Sequence, residues 1–522
     1  MKIVSIFLLL FLLFACAGNE NKKINKDFLN SIDLSDSEKL RRILDDSFLE
    51  DIGCEKEERV WLQELYKIRN YQPIFARDTA YTRLGKLCKQ ELSRTLWYGV
   101  PGKRVQENLT NLFPMEDEVW MMLQLGILLE DVRKGAYDFE QKKFKPRKPL
   151  DVIAFNERIN YLKEMPFNEM VFQTGPKDSS YQFLAKHTYQ FCKTYGLDST
   201  SFQLKTEKDD SVGAMQKARE VLVKKNFLTT DADSSTFRKV LLSYQEQNGL
   251  FPDGKLGRNT VRALNESNLD KVLRATFAME KIRQQSARPT KFVRINLPEF
   301  MLYFVQSDTV LRSHKIVVGK TSTPTPELTS QIYKVVLFPT WSVPYSITSK
   351  EMLPDLRRDP NYLRRNNMKL YADGKEIDAS SVNWNGVRGF PYRVVQQPGS
   401  GNSLGIVKFE FLNDHSVYVH DTPQKRYFNT DFRSYSHGCM RCENPVELAK
   451  ELLLRDSIGR NEPYSVEKID SLFSLKRNTH LSLKNPVPIF VEYQTVVATS
   501  KGLIFYADLY GRDREWVRQA KN

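Results

Sequence analysis

Apolar residues in the first part of the chain recur at spacings of three and four. Between Glu116 and Lys134, Trp120, Leu123 and Ile127, with Leu128 beside them, mark one helix face. Val60, Leu62, Leu65, Tyr66 and Ile68 do the same between Glu57 and Arg69. Pro, Gly and Asp/Asn clusters break up such runs, so residues 31–207 are predicted to form a helical scaffold. The pattern then tightens over 208–268. Ala214, Ala218 and Val221 mark one face, Phe237, Val240, Leu241 and Tyr244 a second, and Thr260, Val261 and Leu264 a third. This predicts a compact three-helix unit, with Gly249, Gly254 and Gly257 permitting tight turns of positive φ. A further helix from Leu269 to Gln285 occupies most of a connector at 269–290.

After Lys291 the period changes to two. Phe292, Ile295 and Leu297, then Met301, Tyr303 and Val305, sit in short runs rich in β-branched and aromatic residues. Val335 to Phe338, the alternating Val407, Phe409 and Phe411, Ser416 to Val419, Ile489 to Val497 and Leu503 to Tyr506 add further strands. Residues 291–522 therefore read as a mostly-β domain. Within them, 344–405 is polar and charged, irregular or helical in pattern, and too long for a hairpin loop, which suggests a lid. The fold class is multidomain α+β.

Hydrophobic residues make up 41% and charged residues 27% of 522, a balance that excludes a disordered chain. The net charge of +14 suits an anionic partner. The Lys and Arg residues are spread along the chain with no zinc-finger or RNA-binding signature, so nucleic acid is not the partner expected.

Lys2 precedes an apolar stretch, Ile3 to Phe14, that is too short to span a bilayer comfortably. It ends in Leu13-Phe14-Ala15-Cys16, which resembles a bacterial lipobox, where cleavage precedes a lipid-modified cysteine. Residues 1–15 then read as a signal peptide and 16–30 as a polar tether. Lipidation at Cys16 would hang the protein from a membrane on the periplasmic side. It would also leave Cys54, Cys88, Cys192, Cys439 and Cys442, an odd number in an oxidising compartment. At least one thiol stays free, and a free thiol there is a liability unless it does chemistry. Cys54, Cys88 and Cys192 fit core positions.

The chemistry gathers in Tyr418-Val-His-Asp-Thr-Pro and Ser436-His-Gly-Cys-Met-Arg. A cysteine attacks an acyl carbon as thiolate and needs a nearby base or positive field. A strand ending at His420 and a turn leading from Cys439 into a helix near Pro445 can bring imidazole and thiol together. Gly438 lets the backbone approach a substrate, and neighbouring N–H groups could face a developing oxyanion. Cys439-x-x-Cys442 also fits a redox pair, half a zinc site completed by His420 and His437, or a reversible disulfide.

These motifs resemble the L,D-transpeptidases with a YkuD-type catalytic domain. Trp341-Ser-Val-Pro, Lys350-Glu-Met-Leu-Pro, Leu356-Arg-Arg-Asp-Pro, Tyr362-Leu-Arg-Arg-Asn-Asn, Gln397-Pro-Gly, Asn402-Ser-Leu-Gly, Val407-Lys-Phe and Leu509-Tyr-Gly-Arg-Asp resemble the large periplasmic branch of that family. The unit at 208–268, with its Gln-rich helix, Asp253-Gly254 turn, Gly257-x-x-Thr260 and Ala263-Leu264, resembles a peptidoglycan-binding module. The resemblance implies Cys439 as nucleophile, His420 as base, the Asp421 main-chain carbonyl as its orienter and Gly438 in the oxyanion turn. It also implies that Ser436, His437, Arg441, Tyr418 and Trp341 shape the substrate cleft, and that 344–405 caps it. The substrate implied is a peptidoglycan stem peptide that gives up D-Ala and is joined 3→3 to a second stem. Carbapenems would acylate Cys439, and no metal or organic cofactor is implied. Carboxypeptidase activity, D-amino-acid exchange, protein-to-wall ligation on the same site and a non-catalytic wall-binding lipoprotein remain alternatives.

Overall fold

The computed structural model describes residues 34–521 apart from 46–47, 78, 103–111, 211–212, 286, 457–458 and 460. Cys16 and the apolar leader lie outside the described residues. Among those described, no helix is long and apolar enough to cross a membrane. The described residues fall into two units, one within 34–197, 275–284 and 516–521, the other within 198–274 and 285–515.

The first unit is helical. Its central helix, Pro114–Lys134, is buried around its whole circumference from Met115 to Val132, including Glu118 and Gln124. The periodic stripe at Trp120, Leu123 and Ile127 thus marks only part of what the scaffold covers, as expected of a helix enclosed by others. The Glu118 carboxylate is satisfied there by the N–H groups of Ile74, Phe75 and Ala76 and by the Tyr66 hydroxyl. Cys54, Cys88 and Cys192 are buried and free, and burial pushes their thiols up, Cys54 and Cys192 to about 12. Thiols held neutral in this way are inert.

In the second unit, helices Gly213–Lys224, Ser234–Gln247 and Arg258–Asn265 enclose a core of Ala214, Ala218, Val221, Leu222, Phe237, Leu241, Tyr244, Leu256, Val261 and Leu264. The buried Gln245 ties the motif together. Its amide donates to Asp253, to the Lys255 carbonyl and to Thr260, and its oxygen accepts from the Gly254 N–H. Gly249 and Gly254 have the expected positive φ of 63° and 73°. Gly257 does not: at φ −70° it stands before the third helix in an extended conformation open to any residue.

The rest of the unit is built on a nine-stranded sheet: β1 Lys291–Asn296, β2 Met301–Gln306, β3 Thr309–Gly319, β4 Leu328–Leu337, β5 Val407–Phe411, β6 Val419–His420, β7 Ser434–Ser436, β8 Met440–Cys442 and β9 Thr479–Glu492. The order is β7-β3-β8-β6-β5-β4-β9-β1-β2, and β2 also pairs with β3, which closes the ring of pairings. The long β3 makes this possible. Its residues up to Lys315 pair with β2, Ile316 and Val317 pair with β8, and Val318 and Gly319 with β7. The core inside is filled by Val335, Leu337, Val407, Phe409, Val419, Met440 and helix Pro445–Arg455, which contributes Leu448, Leu452 and Leu453.

The stretch expected to be irregular or helical does hold short helices, Leu353–Arg358 and Tyr362–Arg365 among them, but it also has its own sheet and core. Trp341–Ser342, Met368–Ala372, Lys375–Ile377 and Arg393–Gln396 form four antiparallel strands. Met352, Leu353, Leu356, Leu363, Leu370, Trp384, Phe390 and Val394 pack beside them. Its strands are short and separated by charged turns, which hid the alternation. The buried Asn402 pins the return to the main sheet, donating to the Pro339 and Gln397 carbonyls and accepting from Leu404 N–H.

Candidate active site

The helix expected near Pro445 is present as Pro445–Arg455, and between it and Cys439 stands the short β8. This strand pairs in parallel with β6, Val419 opposite Met440 and His420 opposite Arg441. Val419 and Met440 are fully buried on the core face. Side chains alternate along a strand, so Tyr418, His420, Cys439 and Arg441 share the opposite face. Lys408 joins them, being opposite His420 across β5. Cys439 therefore lies across from Tyr418 and diagonal to His420. Cys442, two strand positions after Met440, is on the core side, fully buried, with its thiol toward the Glu443 carbonyl. Cys439 and Cys442 are both free. Their opposed faces separate the two sulfurs, which speaks against the redox-pair and disulfide readings. Among the described residues no group of His, Cys, Asp and Glu side chains is arranged to hold a metal ion.

The imidazole is fixed from behind. His420 is 5% exposed, and its Nδ1 is 2.5 Å from the Asp421 carbonyl oxygen. Asp421 is anchored in turn. Its N–H donates to the Val407 carbonyl, its carboxylate accepts from the Ile406 N–H, and Lys425 pairs with it. Gly405, at φ +60°, stands so close that any Cβ would collide with that carboxylate. This is a requirement for glycine that the sequence alone did not reveal.

The thiol side is held by Tyr418 and by the turn. The backbone and hydroxyl of Tyr418 are near enough to the Cys439 thiol to pull it down, and the Trp341 side chain acts in the same sense on the Tyr418 phenol. The Tyr418 ring lies edge-on to His420, with centroids 5.6 Å apart, and Lys408 Nζ is 4.3 Å from its centre. In the turn, Ser436 Oγ donates to the Cys439 carbonyl at 2.5 Å and accepts the Gly438 N–H at 3.2 Å. Gly438 has φ +117°, reserved for glycine. Its N–H is thus engaged inside the turn, and the N–H of Cys439 itself has no partner among the described residues. Arg441 donates to Gln424 at 2.8 Å, and its guanidinium is 5.8 Å from the Tyr427 ring centre. His437 turns the other way, its Nε2 2.7 Å from Glu351 Oε1 in the inserted subdomain.

Thr325 gave no sequence signal, and Tyr510 and Arg512 lie in a motif to which the sequence assigned no role. Buried Thr325 donates from Oγ1 to the Gly438 carbonyl at 2.8 Å and accepts from the Gly319 N–H at 2.9 Å. Tyr510 accepts from the Thr325 N–H and donates to the Gly319 carbonyl, and Arg512 donates to the Thr325 carbonyl. The late Leu509-Tyr-Gly-Arg-Asp motif therefore buttresses the cysteine turn.

Electrostatically the pair is neutral at rest. Burial, reinforced by the Arg441 guanidinium and by Lys408, pushes His420 down to about 3 against the opposing bond to the Asp421 carbonyl. Burial pushes the Cys439 thiol up, and Tyr418, Lys408 and Arg441 offset part of that shift.

A thiol and a carbonyl-oriented imidazole on one sheet face are an arrangement able to support thiol chemistry on an acyl carbon. Residues 290–466 match the family model of YkuD, the L,D-transpeptidase catalytic domain. The chain is 29% identical over 223 residues to a Haemophilus influenzae protein whose name assigns it, provisionally, to the L,D-transpeptidases. That match covers 42% of this chain and 44% of the relative, so the chain spans less than half the relative's length. Two solved structures are also similar. One is the carbamoyl enzyme that Ldtfm forms with avibactam, 14% identical over 42% of this chain and 61% of that one, TM-score 0.19. The other is an L,D-transpeptidase from Stackebrandtia nassauensis, 12% identical over 57% of this chain and 95% of that one, TM-score 0.18.

Proposed function

We propose that this protein is an envelope L,D-transpeptidase that joins peptidoglycan stems 3→3 through a Cys439 thioester. The observation that carries the reading is the β6–β8 register, with Tyr418, His420, Cys439 and Arg441 on one face. As a tetrapeptide stem enters, the Cys439 thiol gives its proton to His420 Nε2 and the sulfur attacks the carbonyl carbon of the third residue. The Cys439 N–H supports the oxyanion, a donor worth about 3 kcal/mol in comparable sites. Collapse breaks the amide bond, and the imidazolium proton goes to the departing D-Ala amine. The side-chain amine of a second stem then attacks the thioester, and the thiol is restored as the new amide forms. Lys408 and Arg441 give the cleft its positive side, suited to stem carboxylates. The three-helix unit would hold the glycan strand, and lipid on Cys16 would keep the enzyme at a periplasmic membrane.

The test is incubation of the soluble chain with disaccharide-tetrapeptide, read by mass spectrometry beside Cys439→Ala. A dimer lighter than two monomers by one D-Ala, with a 3→3 fragment pattern and absent from the variant, is expected. Tripeptide alone would make the protein a carboxypeptidase, and no turnover in reducing buffer would favour a wall-binding role.

A further inference from the structure

His437 stands two residues before the nucleophile, yet its side chain serves neither the thiol nor the turn. Its Nε2 meets the Glu351 carboxylate at 2.7 Å, and its Nδ1 has no partner among the described residues. Glu351 belongs to the π-helical turn Thr348–Met352 of the inserted subdomain. Both side chains are partly open, 37% and 53% exposed. A carboxylate behind one imidazole nitrogen fixes the tautomer, leaves the other nitrogen as a proton acceptor and stabilises the cation that forms. His420 is backed differently, by a neutral carbonyl in a buried pocket flanked by Lys408 and Arg441. The two halves of the reaction ask for different bases. Acylation moves a proton from a thiol, whereas the incoming stem arrives as an ammonium and must lose a proton before it has a lone pair to attack with. A site whose nearest cations are Lys408 and Arg441 repels that ammonium unless a carboxylate compensates on the other side.

Building on the transpeptidase reading, we propose that Glu351 and His437 form an acceptor-side base, assembled where the inserted subdomain meets the cysteine turn. His437 Nδ1 takes one proton from the acceptor ammonium, and Glu351 holds the resulting imidazolium. The freed amine attacks the thioester carbon and the C–S bond breaks. A second amine proton returns through His420 to the Cys439 sulfur, the third stays in the new amide, and His437 releases its proton to solvent. Glu351 acts as a positioning residue and His437 as the group that touches the amine.

The experiment acylates the wild-type chain, Glu351→Gln and Glu351→Asp with disaccharide-tetrapeptide. It follows acylation, hydrolysis and capture by a tripeptide-stem acceptor separately by mass spectrometry. In Glu351→Gln the maximal rate of acceptor capture is expected to fall at least about tenfold. The acceptor concentration at half-rate should change little, acylation should stay within about twofold, and Glu351→Asp should recover much of the loss. Undiminished capture in Glu351→Gln would overturn the proposal. So would an equal fall in acylation and capture, because a carboxylate that merely seats the insert affects both steps. A wild-type chain that forms no acyl-enzyme would overturn the transpeptidase reading and this pair's role with it.

Discussion

Cys439 and His420 titrate away from each other, and this has a measurable consequence. With the thiol pushed above its ordinary value and the imidazole down to about 3, both are neutral across the physiological range. The iodoacetamide reaction rate of Cys439 should therefore climb steadily with pH, with a midpoint above about 8.5. A rate already flat between about pH 5 and 8 would reveal a preformed thiolate–imidazolium pair and refute the neutral resting state. At this scale the sequence was informative about residue types and poor about their surroundings. The Ser436-His-Gly-Cys turn and His420 were legible because a thiol, an imidazole and a glycine fall within short motifs. The contacts of Glu351, Thr325 and Gly405 were not, since each is made with a residue distant in the chain.

Among the elements, the loop at 320–325 has the clearest structural duty. Thr325 is fully buried, and its hydroxyl links the end of β3 to the Gly438 carbonyl. Thr325→Val keeps the shape and removes both bonds, leaving a buried N–H and a carbonyl without partners. We expect a loss of about 1–3 kcal/mol in urea unfolding, together with slower acylation because the cysteine turn loosens. Unchanged stability and acylation would mean that other contacts hold the turn unaided. The element pattern is legible where hydrophobic alternation is strong, as in β2 and β5, whereas of the ten-residue β4 only the apolar end Val335–Leu337 stands out in the sequence. The eleven-residue β3 escaped because its first half is mostly polar and exposed: in Thr309–Arg312 only Leu311 is even partly buried. The strand at Ser416–Val419 proved shorter, with Ser416 at φ +55° in a turn and only Val419–His420 paired.

At the scale of the molecule, helix Asn268–Arg283 supplies residues to both units. In the second unit its Arg274, 6% exposed, donates twice to Glu266, at 2.7 and 2.9 Å, and reaches Asp513 and the carbonyls of Thr495 and Tyr506. Arg274→Met would take this cation from Glu266 and Asp513. A destabilisation of about 3–5 kcal/mol is expected in the urea transition, since an orphaned buried charge costs more than the pair contributes. A shift below about 1 kcal/mol would show that solvent reaches the site and screens it. The helix predicted from Leu269 to Gln285 is present as Asn268–Arg283, and nothing in its periodicity announces the Arg274 cluster.

The sequence by itself determined what depends on neighbours in the chain. Helical against alternating periods separated the scaffold from the mostly-β part. Gly-rich turns punctuated the three-helix unit, and the two short motifs named Cys439 and His420. Tertiary structure alone decided what depends on pairing. The parallel register of β6 with β8 set thiol and imidazole on one face and Cys442 on the other, and a slip of one residue would have reversed that assignment. It also gave the insert its own core and brought Glu351 to His437, some eighty positions away. The reason is physical: periodicity records which face of an element is buried, whereas the partner that buries it is chosen by the packing of the whole chain.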